Sequence, residues 1–371
     1  MKKLGFGFMR LPVIDEKDRS KVDMDTLKNM VDCYMERGFS YFDTAHRYND
    51  EASEPALKEC LVDRYPRERF ILANKITMNY IKKEEDQWPF FQNQLKRCGV
   101  DYFDVYLVHN MGEAGYPAAK KYKTFEFVKR MKDEGYAKHI GFSFHGTADV
   151  LEKILKEHPE AEIVQLQINY LDWEDAGIQS RLCYETACRY GKKVIVMEPV
   201  KGGTLVNLPD DAAKILKAAN PDASLASWAI RYAASLENVV MVLSGMSAPE
   251  QVQDNTGYMA DFKPITDAEA ETLKNTADLI HAHFEIPCTN CRYCVTECPR
   301  HIAIPDYFSL YNNYKRLENT GYMYNQKVYY ANLTKRNGKA SECIGCGLCE
   351  KNCPQHIAIR EKLKDIVAVL E

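Results

Sequence analysis

The sequence predicts an α/β chain, a TIM (β/α)₈ barrel followed by a small second module rich in cysteine. Three observations carry this. Short β-rich apolar runs alternate with helical patterns as far as about Gly245, and there are eight such runs. No G-x-G-x-x-G follows the first run, and eight of the thirteen cysteines fall after position 287, in two sets of four. Alternation of strand and helix implies a parallel sheet, and eight units point to closure rather than to an open, doubly wound sheet. Gly5 and Gly7 lie inside the first strand and do not make the dinucleotide fingerprint that the open sheet would carry.

The expected strands are Leu4–Phe8, Ser40–Thr44, Phe70–Ile76, Val105–His109, His139–Phe144, Ile163–Asn169, Val194–Glu198 and Val239–Ser244. Helical patterns precede the later ones, among them Thr26–Arg37, Ala52–Arg64, Phe125–Glu134 and Ile178–Tyr190. Gly38, Gly99, Gly135 and Gly191 stand where such helices must stop before the next strand. After Pro264 a polar stretch, Thr266 to about His283, reads as a helical connector. The chain therefore divides into a barrel over 1–265, a connector over 266–284 and the cysteine-rich module over 285–371. Its 371 residues exceed one ordinary core, and a barrel of roughly 250 residues leaves room for such a module.

Composition narrows the function. Apolar residues make up 46% and charged residues 27%, and the formal net charge is −4. There is no basic stripe to hold nucleic acid and no apolar run long enough to cross a bilayer. The start has two lysines but neither an apolar run of signal-peptide length nor a small-residue cleavage site, so the expectation is a cytoplasmic protein. Thirteen cysteines in such a chain point to metal or redox use rather than disulfides. Cys33, Cys60, Cys98, Cys183 and Cys188 are scattered and read as small buried hydrophobes.

The other eight are ordered. Cys288-x₂-Cys291-x₂-Cys294-x₃-Cys298-Pro299 and Cys343-x₂-Cys346-x₂-Cys349-x₃-Cys353-Pro354 repeat one pattern, which resembles the C-x₂-C-x₂-C-x₃-C-P run of bacterial ferredoxins. Three closely spaced thiolates wrap one face of a cube, and the fourth reaches the partner cluster. One [4Fe–4S] cluster is thus assigned to Cys288, Cys291, Cys294 and Cys353, the other to Cys343, Cys346, Cys349 and Cys298. Zinc ribbons use pairs of cysteines, not triplets followed by Cys-Pro. Gly345 and Gly347 let backbone amides approach the second site, where the first has Asn290 and Arg292, so the two potentials need not match. Between Cys298 and Cys343 lies an insert of 44 residues with seven tyrosines and a helix-like pattern.

Barrel chemistry sits where strands end at the C-terminal face. There the second strand gives Asp43 and Tyr48, the third Lys75 and the fourth His109. A phenol with its usual pKa of about 10 is a poor acid at neutral pH. A nearby ammonium favours its ionised form, a carboxylate holds the ammonium, and an imidazole can orient a substrate oxygen. Singly, each has a plainer reading: Asp43 as a helix cap, Lys75 as a rim charge, His109 as a satisfied core histidine.

Together, DTAHRYN, ANK and DVYLVHN resemble the motifs of the aldo/keto reductase family, in order and near the usual spacing. GFSFHG, VQLQINYLD and Pro249-Glu250-Gln251-Val252-Gln253-Asp254-Asn255 are similar to later segments, so the likeness covers about 4–262. It implies the tetrad Asp43, Tyr48, Lys75 and His109, with Tyr48 as proton donor to a carbonyl. It also implies a nicotinamide cofactor at the barrel mouth, with Ser143 and Gln165 at the carboxamide and Asn255 at the adenine. Met197 stands where a tyrosine often stacks on the nicotinamide, and Phe144 where an asparagine is common. Gly245, Met246 and Gln251 stand where many members hold a 2′-phosphate with cations, which makes NAD(H) at least as plausible as NADP(H). The family's N-terminal hairpin is missing or very short. A ferredoxin module behind the barrel marks a branch of predicted oxidoreductases.

The expected activity is interconversion of a small-molecule carbonyl and alcohol by an oxidoreductase of anaerobic type, with the clusters exchanging electrons with the site or with an external ferredoxin or flavodoxin. Hydride moves two electrons and each cluster one, so a flavin is a further candidate cofactor, although no linear flavin motif is present. Two alternatives stay open: an electron relay on a barrel without reductase activity, and an ordinary reductase with structural clusters.

Overall fold

Alternation along each strand decides what the barrel encloses. The computed structural model describes residues 2–317 and 324–371. Its strands are β1 (Leu4–Gly7), β2 (Tyr41–Asp43), β3 (Ile71–Thr77), β4 (Phe103–Met111), β5 (Ala137–Phe144), β6 (Ile163–Gln167), β7 (Lys193–Met197) and β8 (Val239–Ser244). All pair in parallel, each with the next, and β8 closes on β1. Inward-facing Tyr41, Ala73, Val105, Leu107, Ile163, Ile195, Met241 and Leu243 pack into one interior cluster. The alternate residues, among them Phe42, Leu72, Tyr106, Phe142, Val164, Val196 and Val242, belong to the larger core outside the sheet. Gly141 is a point of close approach: a Cβ there would lie 1.9 Å from the carbonyl oxygen of Ile163.

Gly38, Gly99, Gly135 and Gly191 all adopt left-handed backbone, with φ between 65 and 85°. That conformation ends each helix and costs glycine no Cβ clash. The helix expected over Ala52–Arg64 is present but winds as a π-helix over Lys58–Val62. The connector forms a helix over Asp267–Ala282, its start closed by Thr266 and Glu269 exchanging hydrogen bonds with each other's backbone.

The second module has its own core, in which Ile302, Tyr307, Phe308, Ile359, Leu363 and Ile366 pack with the cluster cysteines. The repeat seen in the sequence is also a repeat of backbone. Asn290 and Gly345 are both left-handed, as are Arg292 and Gly347, and His301 and His356. Of the insert expected to be helical, 318–323 lie outside the described residues; the remainder holds two helices, Ile304–Leu317 and Tyr324–Leu333, with non-helical turns on either side. Both meet the barrel's C-terminal face. From the first, Ser309 donates to Asp175; from the second, Asn332 accepts from the Ala114 amide at 2.9 Å, and just past it Arg336 ion-pairs with Glu113 at 2.8 Å.

Candidate functional site

Two residues beyond Tyr41, Ala73 and Leu107 the same alternation turns Asp43, Lys75 and His109 inward, at the top of the barrel. Lys75 is wholly buried, with its Nζ 2.5 Å from Asp43 Oδ1 and 3.0 Å from the Thr44 carbonyl. The ammonium stands 5.0 Å from the centre of the Tyr48 ring. That ring meets the His109 imidazole edge to face at 5.9 Å, and His109 Nδ1 lies 3.0 Å from Thr77 Oγ1. Asp43, Tyr48, His109, Ser143, Gln165, Met197 and Gly245 line one cavity of about 290 Å³, and Lys75 lies behind Asp43. Burial pushes the Lys75 ammonium down and the Asp43 carboxyl up, and each partner's charge offsets part of the other's shift. Burial, then the charges of Lys75 and Arg47, holds His109 well below its ordinary value. His109 is therefore a neutral imidazole near pH 7 and can orient an oxygen without adding charge.

Three of the sequence-derived cofactor residues lie apart from this cavity. Met246, one position out of phase with Gly245, is fully buried in the outer core. Asn255 donates to Ser244 Oγ at 2.7 Å and accepts from Tyr258 at 2.8 Å. Gln251 is exposed and accepts from the Ser247 amide at 2.7 Å. Other residues in the cavity were not singled out by the sequence. Arg10, Arg47, Asn110, His145 and Glu198 line it, as does Asn325 from the insert. His145 was legible, because it follows Gly141 and Ser143 in the inward phase of β5; Asn325 comes from a distant helix and had no local signal.

Burial holds the His145 imidazole down to about 4, against an ordinary 6.5. From pH 6.5 downward the unfolded chain takes up a proton that the folded chain refuses until about 4, so stability is lost as pH falls through that window. At about 1.4 kcal/mol per pH unit, a step from pH 7 to pH 5 should cost about 2 kcal/mol through this residue. Denaturant unfolding at both pH values should show His145→Phe losing that much less than wild type.

The eight ordered cysteines surround two small voids. Cys288, Cys291, Cys294 and Cys353 border one, with Phe308, Ile357 and Ile359. Cys298, Cys343, Cys346 and Cys349 border the other, with Ile302, Ile304 and Leu363. The fourth thiol of each set thus comes from the other repeat. Four thiols around a void walled mainly by apolar side chains fit a polynuclear cube. No cysteine is in a disulfide, and Cys60, Cys98 and Cys183 are buried. None of the described helices is long and apolar enough to cross a membrane.

The profile of the aldo/keto reductase family matches residues 3–278, and that of the 4Fe-4S dicluster domain matches 287–358. The NADH-specific methylglyoxal reductase of Escherichia coli is 23% identical over 288 residues, 66% of this chain and 85% of that protein. Human aldo-keto reductase family 1 member C3 is 31% identical over 160 residues, which is 38% of this chain and 47% of its own length. Among solved structures, the holo form of an aldo-keto reductase from Bacillus halodurans superposes with a TM-score of 0.59 at 23% identity, covering 74% of this chain and 91% of that one. The chain belongs to the aldo/keto reductase family and carries a 4Fe-4S dicluster domain behind the barrel.

Proposed function

We propose that the protein interconverts a small-molecule carbonyl and its alcohol at the barrel cavity with a nicotinamide cofactor, and that its eight ordered cysteines hold two [4Fe–4S] clusters that exchange electrons with this site or with an external ferredoxin or flavodoxin. The observation that carries the reading is the buried Asp43–Lys75 pair, of which Asp43 lines one cavity together with Tyr48 and His109. Tyr48 holds the proton for the carbonyl oxygen, Lys75 keeps a cation beside the phenol, Asp43 fixes Lys75, and neutral His109 orients the oxygen. Ser143 and Gln165 hold the carboxamide, with Met197 against the ring. A nicotinamide bound there supplies the hydride. The barrel unit is 1–265, the connector 266–284 and the cluster module 285–371. NADH added anaerobically, with and without a carbonyl, tests the whole: cluster absorbance should bleach with NADH alone. Carbonyl reduction with no bleaching would make the clusters structural; bleaching with no carbonyl reduction would make the protein a relay.

The cofactor should be NAD(H) at least as readily as NADP(H). Gly245, Met246 and Gln251 offer no cation for a 2′-phosphate, and Lys201 is fully buried against Asp172. The likeness to an NADH-specific enzyme of Escherichia coli agrees. A charge-assisted phosphate contact is worth about 1.5–3 kcal/mol, so an effective clamp would favour NADP(H) by roughly ten- to a hundredfold. Fluorescence titration showing that preference would point to Arg10, whose Cδ lies 3.6 Å from where a Cβ on Gly245 would stand.

A further inference from the structure

Phe144 lies beside Ser143 but faces the outer core, with Phe142 at 6.3 Å. The next residue, His145, turns into the cavity. Its side chain is more than nine-tenths buried, and its Nδ1 has no hydrogen-bond partner. Three further buried atoms of the cavity share that condition: Asn110 Oδ1, Gln165 Oε1 and Asp43 Oδ2, the last on a carboxylate already paired with Lys75 through Oδ1. His145, Asn110 and Gln165 stand on or just after β5, β4 and β6 around Ser143, which pairs in register with Gln165 and whose Oγ accepts from the Asn110 backbone N–H at 2.7 Å. A buried polar atom left unpaired costs free energy, and a ligand supplies the missing partner. A carboxamide offers what is lacking: an NH₂ for two amide oxygens and a carbonyl for an imidazole N–H.

What holds His145 in place comes largely from the other module. The side chain of Asn332 bridges two barrel loops, donating from Nδ2 to the His145 carbonyl and accepting at Oδ1 from the Ala114 amide at 2.9 Å. Gly112 leaves the room for this: a Cβ there would lie 2.4 Å from the His145 carbonyl oxygen and 2.7 Å from Asn332 Nδ2. The Tyr329 ring packs edge to face on the imidazole at 5.5 Å. Asn325, Tyr329 and Asn332 are spaced four and three residues apart, so one face of the helix Tyr324–Leu333 covers the barrel mouth.

We infer that His145 is a positioning residue for the nicotinamide carboxamide, and that the cluster module sets its imidazole through Asn332 and Tyr329. This rests on the nicotinamide reading above. The dicluster module is then part of the cofactor site's wall as well as a carrier of clusters.

The test uses full-length, anaerobically prepared protein with its clusters, and NADH as the probe. His145→Phe keeps a ring against Tyr329 and removes Nδ1; His145→Asn restores a polar atom near that place; Asn332→Ala removes the bridge. Iron content and absorbance near 400 nm serve to confirm that each variant keeps its clusters. NADH affinity should fall about tenfold or more in His145→Phe, with KM for NADH rising more than kcat falls, and His145→Asn should recover most of the loss. Asn332→Ala should weaken NADH in the same direction, and the double variant should be no weaker than the weaker single one. Wild-type NADH affinity in His145→Phe, no recovery in His145→Asn, or full additivity with Asn332→Ala would each overturn the inference while the nicotinamide reading stands. A wild-type protein that binds neither NADH nor NADPH removes that reading itself, and the inference with it.

Discussion

Tyr48→Phe should lower carbonyl turnover by about 10²–10⁴-fold, the usual loss for a positioned general acid, while leaving the fold, the clusters and NADH affinity nearly unchanged. The change deletes one hydroxyl and keeps the ring that meets His109 at 5.9 Å. Lys75→Met should have a similar effect from a different cause, since the phenol loses the cation 5.0 Å from its ring. Lys75 is also the partner of a buried carboxylate, so its removal leaves Asp43 uncompensated and should lower stability by about 3–5 kcal/mol. Tyr48→Phe carries no such penalty, which makes it the cleaner probe. The two losses of rate should not add, because the residues act as one unit. Carbonyl reduction and electron transfer from the clusters to an artificial acceptor, measured side by side, separate the readings. A relay protein would show wild-type transfer in both variants and no reductase rate to lose; wild-type carbonyl reduction in Tyr48→Phe would leave the tetrad present without its role.

The strands were legible from apolar runs of strand length, and for β2, β4, β5 and β7 a second local signal agrees, a glycine that ends the preceding helix in left-handed conformation. Asp43, Lys75 and His109 were legible because they lie where strands end at the C-terminal face and fall in motifs that resemble the family's, in order. Alternation along the strands would also have turned Met246 outward and His145 inward. Asn325, Tyr329 and Asn332 lie in the cluster module yet complete the barrel mouth, and no periodicity within the barrel could report a wall built from a helix so far along the chain. In the cluster loops the sequence has glycine in one repeat and Asn290 and Arg292 in the other, from which unequal potentials were expected. The structure has both loops left-handed, with φ of 56 and 64° against 73 and 77°. The non-glycine residues bear a local strain of about 1 kcal/mol each, so the two sites differ in side chains rather than in backbone course. Arg292 pairs with Asp306 at 2.9 Å beside one void, and Arg360 with Glu350 at 2.8 Å beside the other.

Cys353→Ala should destroy the cluster that is distant from it in sequence and spare the one beside it. Protein prepared anaerobically should hold about eight irons per chain, the content of two cubes, and the variant about half of that. The reason is the crossing of the repeats. Cys353 follows Cys343, Cys346 and Cys349 along the chain, yet it borders the void of Cys288, Cys291 and Cys294. Cys298 in turn completes the void of Cys343, Cys346 and Cys349. Without Cys353 the void keeps three thiols, and besides apolar side chains only the neutral Thr289 and Gln355 and the cationic Arg292 line it, none of them a thiolate, so an iron there is exposed to loss. Anaerobic alkylation read by mass spectrometry identifies which thiols have been released. In Cys353→Ala, Cys288, Cys291 and Cys294 should be modified while Cys298, Cys343, Cys346 and Cys349 stay protected; Cys298→Ala should give the mirror pattern. Modification of Cys343, Cys346 and Cys349 in Cys353→Ala would show that each cluster draws all four ligands from its own repeat, and tightly bound zinc in place of iron would remove the clusters altogether.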